Sequence, residues 1–187
     1  MAYYFRAMKA MNLTIAKNFL QGRGYKKPLN FRFRKPQFDV EWGEIFKAVK
    51  GHSTPLDDAK AMGYARWLGL AKTGGMVKVT KATAKVIENS HAAIPNKFNE
   101  LTEDRKERVL AQINSGEVEL SIVARYDKNY KWLIAGNTRL TAMMKLFGEA
   151  YVWEYNVPEE QRIGLMFPRM KMNDKHRGNM KWIRGVS

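Results

Sequence analysis

The sequence predicts an α+β fold in which a small mixed sheet is flanked by helices. Three observations support this prediction. Apolar residues occupy every second position at 118–124 and again at 130–134, with a polar turn at 127–129, which is typical of a β-hairpin. Apolar residues then recur at helical spacing over 140–147. A further apolar stretch, "AYVWEYNV" over 150–157, predicts a strand after that helix.

Helix signals also precede the hairpin. Thr54 and Pro55 predict the N-cap and first turn of a helix that ends at Gly69. Thr102 caps a second predicted helix, and Gly116 lies just past its end. The stretch 72–88 combines a Gly-Gly turn with β-branched residues and fits either a short strand or a helix.

The chain has 187 residues and a net charge of +15, which is distributed unevenly. Residues 1–36 hold nine bases and no acid, and residues 162–187 hold seven bases and one acid, so the two ends account for the whole excess. A neutral middle between two basic ends predicts that the ends meet a polyanion. The predicted parts are a basic, aromatic-rich arm over 1–38 with a short helix at 12–21, one domain over 39–157, and a basic segment over 158–187.

The arm interleaves aromatic residues with bases. On a strand, Phe31 and Phe33 would share one face, and Arg32 and Arg34 the other. Aromatic rings can stack on bases while cations contact phosphates, although an edge strand with one buried face gives the same pattern. The predicted nucleic-acid-binding residues are Lys26, Lys27, Arg32, Arg34, Lys35, Arg169, Lys171, Arg177 and Lys181.

Composition argues against several classes of protein. Without cysteine the chain has neither disulfides nor thiolate chemistry. It has no apolar run long enough for a membrane span, so we expect no membrane partner and an intracellular location, in the cytoplasm or at the nucleoid. No zinc-ligand spacing, Walker A motif or dinucleotide fingerprint occurs. A compact, basic, aromatic-rich chain also suggests a phage or mobile-element origin.

The polar stretch between the predicted hairpin and the next helix is the strongest site signal. Gly136, Asn137, Thr138 and Arg139 stand where a strand ends and a helix begins, and a plain turn would not need the arginine. Helix N-termini expose unpaired N–H groups and attract anions. Glycine lets the backbone approach a phosphate, Thr138 can cap the helix, and Arg139 can grip a phosphate in two places. These four residues are the predicted phosphate or nucleotide site.

We call Gly136, Asn137, Thr138 and Arg139 the corner. Carboxylates and histidines could add acid–base chemistry to it. Asp39 and Glu41 would share one face of a strand, where they could bind Mg²⁺ or act as a base; a solvated strand face is the alternative. His52 and His91 lie in loops beside small polar residues, and either could act as an acid or base if folded over the corner. The predicted catalytic set is Arg139, Asp39, Glu41 and His52, with no dedicated metal site.

The order helix, strand, hairpin, corner, helix and strand over about 101–157 resembles the ParB/sulfiredoxin superfamily. The resemblance rests on "GEVELSIV" and on "LIAGNTRLTAMMKLFGEAYVWEYNV", which contains a G-x-x-R corner. In that family the corner binds nucleotide phosphates: of CTP in chromosome-partition proteins, and of ATP in sulfiredoxin and in a free-serine kinase. Other members are described as ParB-like nucleases. The resemblance implies a ParB/sulfiredoxin-like core, phosphate binding by Gly136, Asn137, Thr138 and Arg139, and ATP or CTP with Mg²⁺ as cofactor.

The sequence departs from the family pattern at three points, and each departure argues against the activity of one family member. Sulfiredoxin needs a catalytic cysteine, which this chain lacks. Partition proteins carry a second arginine just after the motif and a helix-turn-helix domain, whereas here Leu140 and Thr141 follow and only about 30 residues remain. The free-serine kinase has Asp-Gly-His at the corner, where this chain has Ala135, Gly136 and Asn137.

The resulting hypothesis is a DNA-directed protein whose corner binds a phosphate and supports phosphodiester cleavage or phosphoryl transfer, with Arg139 stabilising charge. Two alternatives remain open. One is an ATP-dependent kinase acting on a small molecule or a modified base. The other is a non-catalytic DNA- or RNA-binding protein. Acidic residues within reach of the corner favour catalysis, and a bare corner favours binding alone.

Overall fold

The computed structural model of the protein describes residues 3–6, 30–47, 54–161, 171–172 and 182–183. The helices are α1 (Phe38–Lys47), α2 (Thr54–Met62), α3 (Tyr64–Lys72), α4 (Glu103–Ser115) and α5 (Asn137–Phe147). The strands are β1 (Tyr3–Arg6), β2 (Asn30–Arg34), β3 (Gly75–Thr80), β4 (Ile87–Glu88), β5 (Glu117–Glu119), β6 (Ser121–Asp127), β7 (Tyr130–Ala135), β8 (Glu149–Asn156), β9 (Lys171–Met172) and β10 (Trp182–Ile183). Short 3-10 turns span Thr83–Val86, Pro95–Glu100 and Glu159–Gln161.

A mixed five-stranded sheet, in the order β3-β8-β6-β7-β4, forms the centre of the fold. Its outer pair β3 and β8 and its hairpin β6 and β7 are antiparallel, while β8 runs parallel to β6 and β4 runs parallel to β7. A smaller sheet has the order β1-β2-β5, and β9 pairs with β10. This arrangement confirms the predicted α+β class with a mixed sheet. Among the described residues, no helix is long and apolar enough to cross a membrane.

Both faces of the large sheet are covered. Val123 and Leu133 face a core that includes apolar residues of α4 and α5, whereas Ile122 and Trp132 face a second core that includes residues of α1, α2 and α3. Because both faces are buried, the strands carry apolar residues at successive positions. The predicted hairpin is confirmed, with Asp127 paired to Tyr130 across its turn.

The stretch predicted as one strand over 118–125 divides at Leu120. Before it, Val118 of β5 pairs with Phe33 of β2; after it, Ser121 of β6 pairs with Val152 of β8. Leu120 is fully buried, and its N–H donates to the carbonyl of Arg34 at 3.0 Å. Residues 30–38 therefore lie within the folded body, with β2 in the middle of its sheet rather than at an edge.

Of the two helices predicted before the hairpin, the second is confirmed and the first ends at a different residue. Thr102 caps α4 through its hydroxyl, which accepts from the Arg105 N–H at 3.4 Å, and Gly116 ends the helix in the left-handed region, as predicted. The predicted helix end at Gly69 is wrong. The chain instead breaks at Gly63, where φ is 80°, and α3 continues past Gly69 to Lys72. A left-handed residue interrupts a helix, whereas a glycine inside a helix only weakens it.

The open choice over 72–88 resolves into β3, a 3-10 turn and β4. The expected helix at 12–21 lies outside the described residues.

A buried polar link joins the helices to the sheet. The Tyr126 hydroxyl donates to Asp58 Oδ2 at 2.6 Å, and Asp58 is 1% exposed. Nearby, Trp67 Nε1 donates to the Tyr155 hydroxyl at 3.1 Å. Burial, together with the adjacent Asp58 carboxylate, raises the pKa of Tyr126 well above its ordinary value, so this phenol remains a donor. The link fixes α2 against β6.

We expect Tyr126→Phe to lower the free energy of unfolding by about 1.5–3 kcal/mol, because it removes a hydrogen bond to a charged, buried partner. Urea unfolding at neutral pH measures this change. Tyr64→Phe is the matched control. Because Tyr64 is 38% exposed, removing its hydroxyl should change the free energy of unfolding by no more than about 0.5 kcal/mol. Equal effects of the two substitutions would contradict the role of the Tyr126–Asp58 bond.

Candidate functional site

Gly136 makes the corner between β7 and α5. Its φ of 91° and ψ of 31° place it in the left-handed region at the N-cap of the helix. A Cβ at this position would lie 2.5 Å from Ser121 Oγ and 2.6 Å from Arg139 Nη2, so both backbone conformation and space require glycine. The Gly136 carbonyl accepts from the Ser121 hydroxyl at 2.7 Å and from the Leu140 N–H at 3.0 Å.

The predicted cap by Thr138 is wrong. Thr138 lies within the first turn of α5, Gly136 occupies the N-cap, and no side chain caps this helix. The first N–H groups of the helix therefore have neither an intrahelical nor a side-chain capping partner in the described part of the chain.

Arg139 forms an ion pair with a residue far away in the sequence. Its Nη2 donates to Glu41 Oε1 at 2.8 Å, and the two side chains are only 17% and 9% exposed. Arg139 Nε is buried and has no hydrogen-bond partner among the described residues. Nη2 thus contacts the carboxylate, while Nε–H has no acceptor among the described residues.

Glu41 reaches this position from a helix, so the prediction that Asp39 and Glu41 share a strand face is wrong. Phe38, Trp42 and Ile45 recur at helical spacing and pack against the sheet, which is the sequence signal that favours α1. On the helix the two acids point differently. Asp39 is exposed, whereas Glu41 is buried beside the corner.

A second buried carboxyl group interacts with Glu41. It belongs to Glu119, which is 6% exposed and acts on Glu41 through its charge and through hydrogen bonding. Burial raises the pKa of Glu41 above its ordinary value, Arg139 opposes that rise, and Glu119 adds to it. Glu119 itself binds Arg34 Nη2 at 3.0 Å and the backbone N–H of Gln37 at 2.8 Å. Interacting charged groups therefore run from β2 to the corner in the order Arg34, Glu119, Glu41 and Arg139, with the two carboxyls next to each other.

Asn137 attaches a distant loop to the same corner. Its Oδ1 accepts from the His91 backbone N–H at 2.9 Å, and its Nδ2 lies 3.4 Å from His91 Nδ1. The Thr141 hydroxyl donates to the Asn137 carbonyl at 2.7 Å. The Asn137 amide is therefore used to hold His91.

Glu41, His91 and residues 135–139 line a cavity of about 510 Å³ at the N-terminus of α5. Arg105 and Arg108 of α4 and Glu44 of α1 line the same cavity. Arg108 pairs with Asp104 at 2.8 Å and Glu44 pairs with Lys47 at 3.3 Å, both at exposed positions. Arginines from two helices, α4 and α5, in one open cavity suit an anionic ligand.

The structure distributes the other predicted residues differently. Arg34 is engaged by Glu119, Lys35 Nζ lies 5.3 Å from the centroid of the Trp153 ring, and Arg32 is exposed on β2. Arg34 and Lys35 thus make contacts inside the fold. Lys171 lies in β9. Outside the described residues lie Lys26, Lys27, His52, Arg169, Arg177 and Lys181.

Comparison with known proteins assigns no family to this chain. No protein-family model, curated protein or solved structure matches this chain. Across the part of the chain that the structure describes, no group of three or more His, Cys, Asp or Glu side chains could hold a metal ion.

Sequence reasoning left out Arg105, Arg108 and Glu119 as site residues. The three-residue spacing of the two arginines places them on one face of α4, but nothing in the sequence indicates what that face meets. Glu119 stands at a position that strand alternation assigns to solvent, yet it is buried, and its carboxylate binds Arg34 and the Gln37 N–H.

We expect Gly136→Ala to lower the free energy of unfolding by about 1–3 kcal/mol, since alanine disfavours the left-handed region and its Cβ would clash with Ser121. Gly69→Ala is the control, and we expect it to raise the free energy of unfolding. An added Cβ there meets nothing within 4 Å inside helix α3, so stability should rise by about 0.5–1 kcal/mol. Chemical denaturation of both variants tests the pair, and a neutral Gly136→Ala would refute the corner geometry.

Proposed function

We propose that this protein binds a phosphate of nucleic acid or of a nucleotide at the Gly136 corner and catalyses phosphodiester cleavage or phosphoryl transfer there. The observation that carries the proposal is the Arg139–Glu41 pair at an uncapped helix N-terminus inside an open cavity. The ParB/sulfiredoxin-like order of elements supports it, because the corner that binds phosphates in that family corresponds to this one.

Anion binding has three supports at this site. The N-terminus of α5 offers unpaired N–H groups and the positive end of the helix dipole. Arg139 lines the cavity beside this helix end and carries the charge-assisted donors that a phosphate oxygen accepts. Arg105 and Arg108 face the same cavity from α4.

Catalysis is favoured over binding alone because an acid lies within reach of the corner. In the proposed reaction, a hydroxyl or water oxygen attacks phosphorus, and its proton passes to the Glu41 carboxylate. The new P–O bond forms as the bond to the leaving oxygen breaks, and solvent supplies a proton to that oxygen. The raised pKa of Glu41 makes it a stronger base than an ordinary glutamate. Arg139 stabilises the negative charge that develops on the phosphoryl oxygens.

The nucleotide alternative, an ATP-dependent kinase, is favoured by the cavity volume of about 510 Å³, which is in the range of small-molecule sites. Mg²⁺ is commonly held by one or two carboxylates together with substrate phosphates, and Glu41 and Glu44 both line the cavity. The ion would neutralise phosphate charge when bound. Glu41 and Glu44 are the residues of this chain that would contact it.

The proposed macromolecular partner is a nucleic acid, and DNA is preferred over RNA. The reason for a nucleic acid is that the excess positive charge lies at the two ends of the chain. A DNA- or RNA-binding protein without catalysis would use the same charge. The corner then serves to hold one backbone phosphate.

We expect a neutral replacement of the buried pair, Arg139→Gln with Glu41→Gln, to preserve folding and to weaken ligand binding by about 10- to 150-fold, as for one charge-assisted contact. Arg139→Ala alone is a poorer test, because it leaves the buried Glu41 carboxylate without its cation. Calorimetry with ATP, CTP and a short DNA duplex measures binding. Arg66→Gln, at an exposed arginine outside the cavity, is the control and should bind like wild type. Unchanged affinity in the double variant would place the site elsewhere.

DNA binding should weaken by about 10³–10⁵ between 50 and 200 mM salt if six to ten phosphates are contacted, with little sequence preference. Replacing Arg169, Lys171, Arg177 and Lys181 by glutamine should reduce the slope of log K against log salt by about one for each phosphate that the protein no longer binds. Fluorescence anisotropy with two unrelated duplexes measures both effects. A flat salt response would argue against the basic ends as a DNA-binding surface.

A further inference from the structure

The Asn137 amide has a fixed orientation. Its oxygen accepts the His91 backbone N–H at 2.9 Å, and the Thr141 hydroxyl lies 3.3 Å from the same oxygen. Because a backbone N–H can only donate, the atom facing it must be the amide oxygen. The amide nitrogen consequently faces the imidazole ring.

This orientation selects one form of the His91 ring. Asn137 Nδ2 lies 3.4 Å from His91 Nδ1, and an amide nitrogen offers only donors. Nδ1 must therefore be the unprotonated nitrogen, which leaves the proton on Nε2 in the neutral ring. Within the part of the chain that the structure describes, Nε2 has no hydrogen-bond partner, while His91 lines the cavity in front of α5.

We infer that His91 is a further ligand-contacting residue of the corner, and that Asn137 is a positioning residue which holds it as a neutral Nε2–H donor toward a phosphate oxygen. This inference rests on the proposed function and adds a residue from outside the corner motif. The Asn137 amide thus holds His91 in place and does not itself contact the ligand.

The cavity that His91 lines also holds Arg105, Arg108 and Arg139, which suit the same anionic ligand. A proton on Nδ1 would place two donors face to face at Asn137. A ligand group that only accepts, such as a phosphate oxygen, matches the single Nε2–H that remains.

Two kinds of variant separate this role from a structural one. His91→Gln keeps an amide donor near the place of Nε2, whereas His91→Ala removes it. Loss of one neutral hydrogen bond should weaken binding of ATP about 2- to 12-fold in the alanine variant, and the glutamine variant should retain most of the affinity. Asn137→Asp keeps the acceptor for the backbone N–H but offers Nδ1 an acceptor instead of a donor, so the ring should change to the Nδ1–H form.

The experiment is long-range ¹H–¹⁵N NMR of the imidazoles in the full chain at mildly alkaline pH, with His91 assigned from the His91→Gln spectrum. We expect the Nε2–H form in wild type, the Nδ1–H form in Asn137→Asp, and a shift of the His91 Nε2 signal on titration with inorganic phosphate. An Nδ1–H form in wild type overturns the inference whatever binds at the corner. Two other results overturn it when the Arg139 and Glu41 double variant still loses binding. One is a His91 Nε2 signal that does not move on titration with phosphate. The other is an ATP affinity that is unchanged in His91→Ala. If that double variant binds ATP like wild type, the proposed function fails, and the His91 inference fails with it.

Discussion

The arrangement of the site depends on the ion pair between Arg139 and Glu41. The pair joins α5, at the end of the hairpin, to α1, which begins almost a hundred residues earlier, and both side chains are largely removed from solvent. A buried ion pair offsets its desolvation only where the geometry is good and further hydrogen bonds are made. Arg139 Nε lacks such a bond among the described residues, so this nitrogen adds nothing to offset the desolvation of the pair.

Charge is also shared between the corner and the N-terminal strand. Glu41 lies beside Glu119, and Glu119 binds Arg34 on β2. Part of the positive charge near the N-terminus thus balances buried carboxyls rather than facing a partner. Burial and the Glu119 carboxyl both raise the pKa of Glu41, and a raised pKa is what the proposed function requires of a base beside the corner. Under that proposal, α1 supplies a base that residues 136–139 lack.

The chemistry of the proposed site comes from outside the stretch that resembles the ParB/sulfiredoxin superfamily. The corner provides Gly136 and Arg139, but Glu41 and His91 arrive from α1 and from the loop before α4. A corner alone binds an anion by position. Its neighbours decide whether it also moves a proton, and they differ in type from the Asp-Gly-His of the free-serine kinase.

Local sequence signals were enough to predict the hairpin, the capped helix at Thr102 and the glycine corner before α5. They also place Gly136 and Arg139 together, since the two are three residues apart at a helix start. The packing of distant elements, by contrast, brings Glu41 on its helix beside Arg139, buries Glu119 and brings Asn137 to His91. Each of these depends on which faces of distant elements pack together, and hydrophobic periodicity reports that a face is buried without reporting what it is buried against.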